Sequence, residues 1–202
     1  MSGAKQARAG PGRPREFDEG EALERAMQLF WSRGYESTRL TDLLAEMGIS
    51  RQSLYSTFGN KRALFLRTID HYRETQLSAA LKLLAREGPP LDNVRAVIGF
   101  FHQLAGDARC RGCLVANALV EVAPHDPEIA LVLSDTLELL QQRIESALDQ
   151  ARQRGDLPPG RSPRTLSQAL TNAMLGLAVS GKLERGPEVL DEIHEGTLRL
   201  LD

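Results

Sequence analysis

The stretch HDPEIALVLSDTLELLQQRIESALDQARQRG, residues 125–155, places Ile129, Leu133, Leu137, Leu140, Ile144, Leu148 and Ala151 three or four positions apart. On a helix that spacing makes one apolar stripe; on a strand, whose side chains alternate between faces, it would scatter them. Gly155 ends the pattern. The same period returns elsewhere, and no sustained period-two run bounded by turn residues occurs anywhere. There is no internal repeat. The expected fold is all-α.

Residues 1–16, rich in Gly, Ala, Pro and cations and lacking periodicity, read as a flexible basic arm. In DEGEALERAMQLFWSRG, Asp18 and Glu21 stand at capping-box spacing, Ala22, Ala26, Leu29 and Phe30 form a stripe, and Gly34 is the stop. LTDLLAEMG is a second, short helix with Leu40, Leu43, Leu44 and Met47 inward. SRQSLYSTF is a third, capped by Ser50, and Asn60 can cap a fourth from Lys61 to about Arg86. After the break GPP at 88–90 comes a helix with Val94, Val97, Ile98, Phe101 and Leu104. GCLVANALVEVA is apolar nearly all round and is expected to be buried throughout. SPRTLSQALTNAMLGLAVSG opens with Ser then Pro, the order a helix start favours, and a last helix spans about 187–201.

The 202 residues carry a net charge of -2, with 42% hydrophobic and 26% charged side chains, as in soluble globular proteins. No apolar run approaches the ~18 to 20 residues that cross a bilayer. The start lacks the apolar segment of a secretory leader, and Cys110 and Cys113 alone build no disulfide framework, so a cytoplasmic protein is expected. Charge is uneven. Residues 1–66 hold 10 Lys/Arg against 8 Asp/Glu, while residues 67–202 hold 15 against 19. Lys5, Arg8, Arg13 and Arg15 face no acid within residues 1–15. A basic head on an acidic body points to a polyanion at one end.

The two short helices joined by MGIS have helix-turn-helix spacing, over about residues 39–58. Gly48 supplies the turn, Ile49 plugs the angle and Ser50 caps the second helix. Such a helix lies in the major groove with its first turn at the base edges, and here that turn shows Arg51, Gln52 and Ser53. Arginine can bond a guanine edge twice and glutamine an adenine edge. Leu54 and Phe58 can anchor. Tyr55, Lys61 at a helix N-terminus, and the first turn near Thr38 and Arg39 are the candidate phosphate contacts. The partner implied is a double-stranded DNA operator.

The run ALERAMQLFWSRGYESTRLTDLLAEMGISRQSLYSTFGNKRALF resembles the DNA-binding domain of the TetR (tetracycline-repressor-like) family. The resemblance rests on Gly34-Tyr35, Thr38, LTDLLAEMGIS and the Leu54-Tyr55-x-x-Phe58-x-x-Lys61 pattern. Arg39 departs from it, because the family commonly caps its second helix with Ser or Thr there. The resemblance implies a helix-turn-helix domain over residues 17–66 and a helical effector-binding and dimerisation domain over 67–202. It implies a repressor, released when a small molecule tilts the fourth helix, that dimerises through the helices near 163–181 and 187–201. Leu175 and Leu177 are then expected at the dimer contact. RGCLVANALVEVAPHDPEIA resembles one C-terminal subgroup of the family.

Phe101, Cys113, Asn117, Leu137, Met174 and Leu177 are the candidate lining of an effector pocket, with Phe100 beside them; each also suits a plain core. Cys110-x-x-Cys113 offers a second function class, a thiol redox enzyme or carrier, but no strand precedes it as a thioredoxin-like site requires. His102 and His125 lack the second compact ligand pair of a metal site, and His71 and His194 carry no partner signal. No phosphate loop, nucleophile elbow or zinc-protease signature is present. No catalytic residue, metal or cofactor is therefore expected. The arm motif GRPR, residues 12–15, is similar to the core of an AT-hook, which would place it in a flanking minor groove.

Overall fold

The computed structural model describes residues 17–107, 109, 111–183 and 186–202, and no strand occurs among them. Helix α1 (Glu19–Arg33) begins where the Asp18 carboxylate accepts the Glu21 N–H at 2.8 Å, and ends at Gly34, as the spacing predicts. Helices α2 (Leu40–Met47) and α3 (Arg51–Phe58) follow, then α4 (Lys61–Tyr72), capped by Asn60. Phe30, Tyr35 and Phe65 clasp α1 to α4, with Phe30 edge-on to Phe65 at 5.0 Å.

The fourth helix differs from its expected course. Instead of running unbroken to about Arg86, it passes through a π-helical turn at Arg73–Leu77 into α5 (Ser78–Leu84). The wider turn shifts the carbonyl ladder, and nearby hydroxyls donate into it: Thr75 to the His71 carbonyl at 2.8 Å, Ser78 to that of Glu74 at 2.6 Å. No periodicity argument sees one surplus residue inside a helix.

The body comprises α6 (Pro90–Ala105), α7 (Leu114–Glu121), α8 (Pro127–Arg154), α9 (Pro163–Ser180) and α10 (Pro187–Leu198), with a 3₁₀ turn at Arg199–Leu201. The α8 stripe is buried as its spacing requires, except that Leu137 is half-buried. Helix α7 corrects an expectation. Leu114, Val115, Ala116 and Ala118 are buried, but Val120 is 78% exposed, because only one side of this short helix meets the core.

One apolar cluster joins α1–α4 to α7, the start of α8 and Ala178 of α9. A second lies among α5, α6, α8 and α9 and takes in Leu201. The first cluster therefore crosses the boundary expected near residue 66. Polar contacts cross it too. Arg62 of α4 donates from Nε and Nη2 to Asp126 at 2.6 and 2.8 Å, and to Glu128 at 2.7 Å. Asp126 is also the N-cap of α8, accepting the Ile129 N–H at 3.1 Å. The Arg62 guanidinium first, and then that backbone N–H, hold the Asp126 carboxyl at about 2. Its folded value lies below the unfolded value of about 3.9, so the clamp stabilises fully above about pH 4 and its contribution is lost as pH falls through 2. Urea midpoints of the native protein and Asp126→Asn, apart at pH 7, are expected to converge toward pH 2. Curves that stay parallel would assign the clamp no share of stability.

Candidate nucleic-acid interface

Gly48 turns the chain between α2 and α3 at φ 67°, a left-handed conformation that side chains disfavour, and its N–H returns to the Leu44 carbonyl at 3.1 Å. Ser50 Oγ then accepts the Ser53 N–H at 3.0 Å and starts α3. Leu54 and Phe58 are buried and fix that helix against its neighbours. The guanidinium of Arg67 lies 4.8 Å over the Phe58 ring and donates to Glu19 at 2.5 Å and to the Thr57 carbonyl at 3.5 Å. What α3 presents outward is therefore held from behind by an apolar pair and a stacked cation.

Arg51 and Gln52 are exposed at the first turn of α3, and Tyr55 is 49% exposed one turn later. Ser53 is half-buried, and its hydroxyl shares a 2.8 Å hydrogen bond with Ser50, so it is partly engaged in the cap. Lys61 sits at the first position of α4 with its ammonium 4.3 Å over the Tyr35 ring. Arg39 is exposed. It has no oxygen with which to cap α2; instead Asp42 accepts the Arg39 backbone N–H at 3.3 Å, one half of a capping box.

Thr38 is fully buried, and its hydroxyl donates to the Gly34 carbonyl at 2.6 Å. That bond is internal, and it holds the start of α2.

A cavity between α4, the π-turn, α6, α7, α8 and α9 has Phe101, Cys113, Leu137 and Met174 in its lining, with Phe100. Asn117 and Leu177 do not line it. Asn117 donates to the Arg111 carbonyl at 2.9 Å and accepts from Lys182 at 3.1 Å, on another side of α7. Leu177 is fully buried elsewhere along α9. Leu175 lines the cavity and is half-buried, so of the two leucines expected at the dimer contact it is Leu177 that has no free surface. Cys113 is buried with Sγ 3.4 Å from the Tyr72 hydroxyl. Cys110 and the arm, with its GRPR motif, lie outside the described residues.

Several structurally decisive residues carried no signal in the sequence. The Glu121 carboxylate on α7 accepts the backbone N–H groups of Tyr35 and Glu36 at 3.0 and 2.9 Å. It fits because Gly34 has no Cβ; one there would meet a Glu121 oxygen at 2.7 Å. Trp31 donates its indole N–H to the Gly112 carbonyl at 3.0 Å, while Arg111 stacks 4.0 Å over its ring. His71 pairs with Glu24 at 2.7 Å, and His102 meets Asp191 at 2.9 Å and stacks on His194 at 4.5 Å. Burial, then the neighbouring His102, lowers the pKa of His194. Each pairing spans dozens of residues, a distance that no spacing rule reaches. Among the described residues no group of three His, Cys, Asp or Glu side chains is placed to hold a metal.

Two family models match: bacterial regulatory proteins of the tetR family over residues 22–68, and the tetracyclin repressor-like C-terminal domain over residues 90–197. The second spans more than half of the chain. This protein belongs to the TetR family. It is 32% identical over 193 residues to the HTH-type transcriptional regulator YezE of Bacillus subtilis, covering 95% of this chain and all of that one. It is 32% identical over 196 residues to the transcriptional repressor ComR of Escherichia coli, covering 94% and 91%. Among solved structures it is similar to a cysteine mutant of the TetR family regulator CifR in complex with 26-bp operator DNA. There the TM-score is 0.83 at 29% identity, over 93% of this chain and 98% of that one. This chain is a helix-turn-helix DNA-binding transcriptional regulator.

Thr38→Val separates positioning from phosphate contact. It is expected to lower stability by about 1 kcal/mol, by removing one internal hydrogen bond, while leaving the salt dependence of DNA binding unchanged. Urea denaturation and binding titrations at several salt concentrations check both. A flattened salt slope would mean that the hydroxyl turns outward on DNA.

Proposed function

We propose that this protein is a repressor that binds a near-palindromic operator as a homodimer and leaves it when a small uncharged molecule occupies the inner cavity. The observation that carries this reading is the exposed Arg51-Gln52 pair on the first turn of a capped helix whose other face is locked into the core. Arg51, Gln52 and, to a lesser degree, Ser53 read bases. Tyr55, Lys61 and Arg39 hold phosphates, and Thr38 sets the helix start that carries Arg39. The cations of residues 1–15 add electrostatic attraction beside each half-site. Repression places the protein with the chromosome, in the cytoplasm. Gene regulation needs no catalysis from it.

Selection from random DNA gives the operator, and variants then assign the contacts. Arg51→Ala is expected to cost about 1 to 3 kcal/mol and to relax preference at one base pair. Lys61→Ala is expected to weaken all sequences alike and to reduce the salt slope by about 1. Wild-type operator affinity in both variants would refute the interface.

One head makes few base contacts, so useful selectivity needs two, about one helical turn or a multiple apart. On α9 the exposed residues Gln168, Asn172, Gly176 and Val179 share one outward face, and Val179 is 47% exposed. This face supports dimerisation, unlike buried Leu177, where a charge would attack the fold itself. Val179→Glu is expected to yield a folded monomer by sedimentation with weakened operator binding. A dimer of unchanged operator affinity would move the contact off this face.

A further inference from the structure

The chemistry of the inner cavity defines what it can accept. Among the described residues its lining includes no Asp, Glu, Lys, Arg or His. The buried Arg111 is not part of it and is paired with Asp107 at 3.0 Å. Thr136 and Thr171 line the cavity, but their hydroxyl protons are spent on the carbonyls of Val132 and Ser167 at 2.6 and 2.8 Å. The Tyr72 hydroxyl and Cys113 thiol face each other. Burial first, then its neighbour Cys113, pushes the Tyr72 phenol well above 10, so it is neutral at any physiological pH. The Tyr72–Cys113 contact uses one of their two protons, and the lining's strongest unengaged polar group is an amide. Gln76 lines the cavity, and among the described residues its amide has no hydrogen-bond partner.

The cavity is also small. About 20 Å³ of free space holds about one water, so a molecule of ten or so heavy atoms requires a wall to yield. Tyr72, Gln76 and Leu77 contribute one wall, and that wall is the junction of α4 with the π-turn. Its residues Arg73, Thr75 and Gln76 are half-buried and Glu74 is exposed, so behind this wall lies solvent rather than another helix layer. A π-turn stores one residue of slack that a regular helix lacks. At the other end of the same helix stand Lys61 and Arg62.

We propose that the cavity takes an uncharged, largely apolar molecule bearing a single hydrogen-bonding group, that Gln76 is the partner of that group, and that the molecule enters by displacing the Arg73–Leu77 π-turn. The proposal rests on the effector-release reading for its biological meaning but not for its chemistry. A charged ligand would lose its hydration without finding a counter-ion, whereas an alcohol or amide satisfies Gln76 and leaves nothing stranded.

Three probes with one skeleton test it: 4-tert-butylcyclohexanol, 4-tert-butylcyclohexanecarboxylate and 4-tert-butylcyclohexylammonium. Trp31, the single tryptophan, stands edge-on to Tyr72 at 5.2 Å and gives a fluorescence signal for the wall without any DNA present. The alcohol is expected to bind in the millimolar range or tighter, and both ions at least about tenfold more weakly. Gln76→Glu is expected to reverse the order, favouring the ammonium and losing the alcohol, a change of sign that a merely structural role for Gln76 would not produce. Hydrogen exchange at the amides of residues 73–78 is expected to change when the alcohol binds. Equal affinity for the three probes, no binding of the alcohol up to about 5 mM, or an unchanged order in Gln76→Glu overturns the assignment. Unaltered exchange at 73–78 with the alcohol bound overturns the route of entry. Operator binding is followed separately by anisotropy. An alcohol that binds with the expected selectivity yet leaves operator affinity unchanged refutes effector release while the chemical class stands.

Discussion

The helices that carry the helix-turn-helix share one apolar core with the body. Trp31 stands at the seam: its ring is covered by Arg111 on one face and met edge-on by Tyr72, and its N–H is fixed on the Gly112 carbonyl. The same cluster runs from Phe30 and Phe65 through Cys113 and Val115 to Ile129 and Leu133. A head joined by a linker could reorient at almost no cost. A head whose largest aromatic side chains are packed against the body moves only if packed atoms move with it, and close-packed interiors favour discrete alternatives over gradual deformation.

Around that core, polar contacts fix the parts of the head that face away from it. Arg62 ties the start of α4 to the capped start of α8, so the residue beside the proposed phosphate contact Lys61 is bound to the body. Glu121 takes up the two N–H groups that follow α1, and Thr38 closes the path into α2. Helix α3 thus lies between restraints on either side of it. Its own exposed residues contribute little to folding, which leaves them free to be chosen for what they touch.

The sequence was legible where structure is local. The caps at Asp18, Ser50, Asn60 and Ser162, the stops at Gly34, Gly48 and Gly155, and the α8 stripe all follow from neighbours a few positions apart. Arg51, Gln52 and Tyr55 could be placed on an outward face because Leu54 and Phe58 show which face is inward. The helix-start pattern does not reveal that the Thr38 hydroxyl finds a carbonyl four residues back. The cavity was half legible. Apolar residues could be assigned to the interior, but whether Met174 or Leu177 meets the void depends on how α9 is rotated against α6 and α8, and nothing within a few positions encodes that rotation. Gln76 went unnoticed for the same reason, since a polar residue on a long helix ordinarily faces water.

The π-turn has one more consequence, for how this chain tolerates change in length. Removing a residue from a regular helix turns everything beyond it by about 100° and carries an inward face out to solvent. Within Arg73–Leu77 the surplus residue already exists, so losing one there restores the ordinary ladder and leaves Leu64, Phe65 and Ile69 on one side, and Ala80 on the other, facing the interior as before. Relatives with one residue fewer at this point can therefore keep both flanking cores, and the join between head and body is the place where the helix can be shortened without being turned.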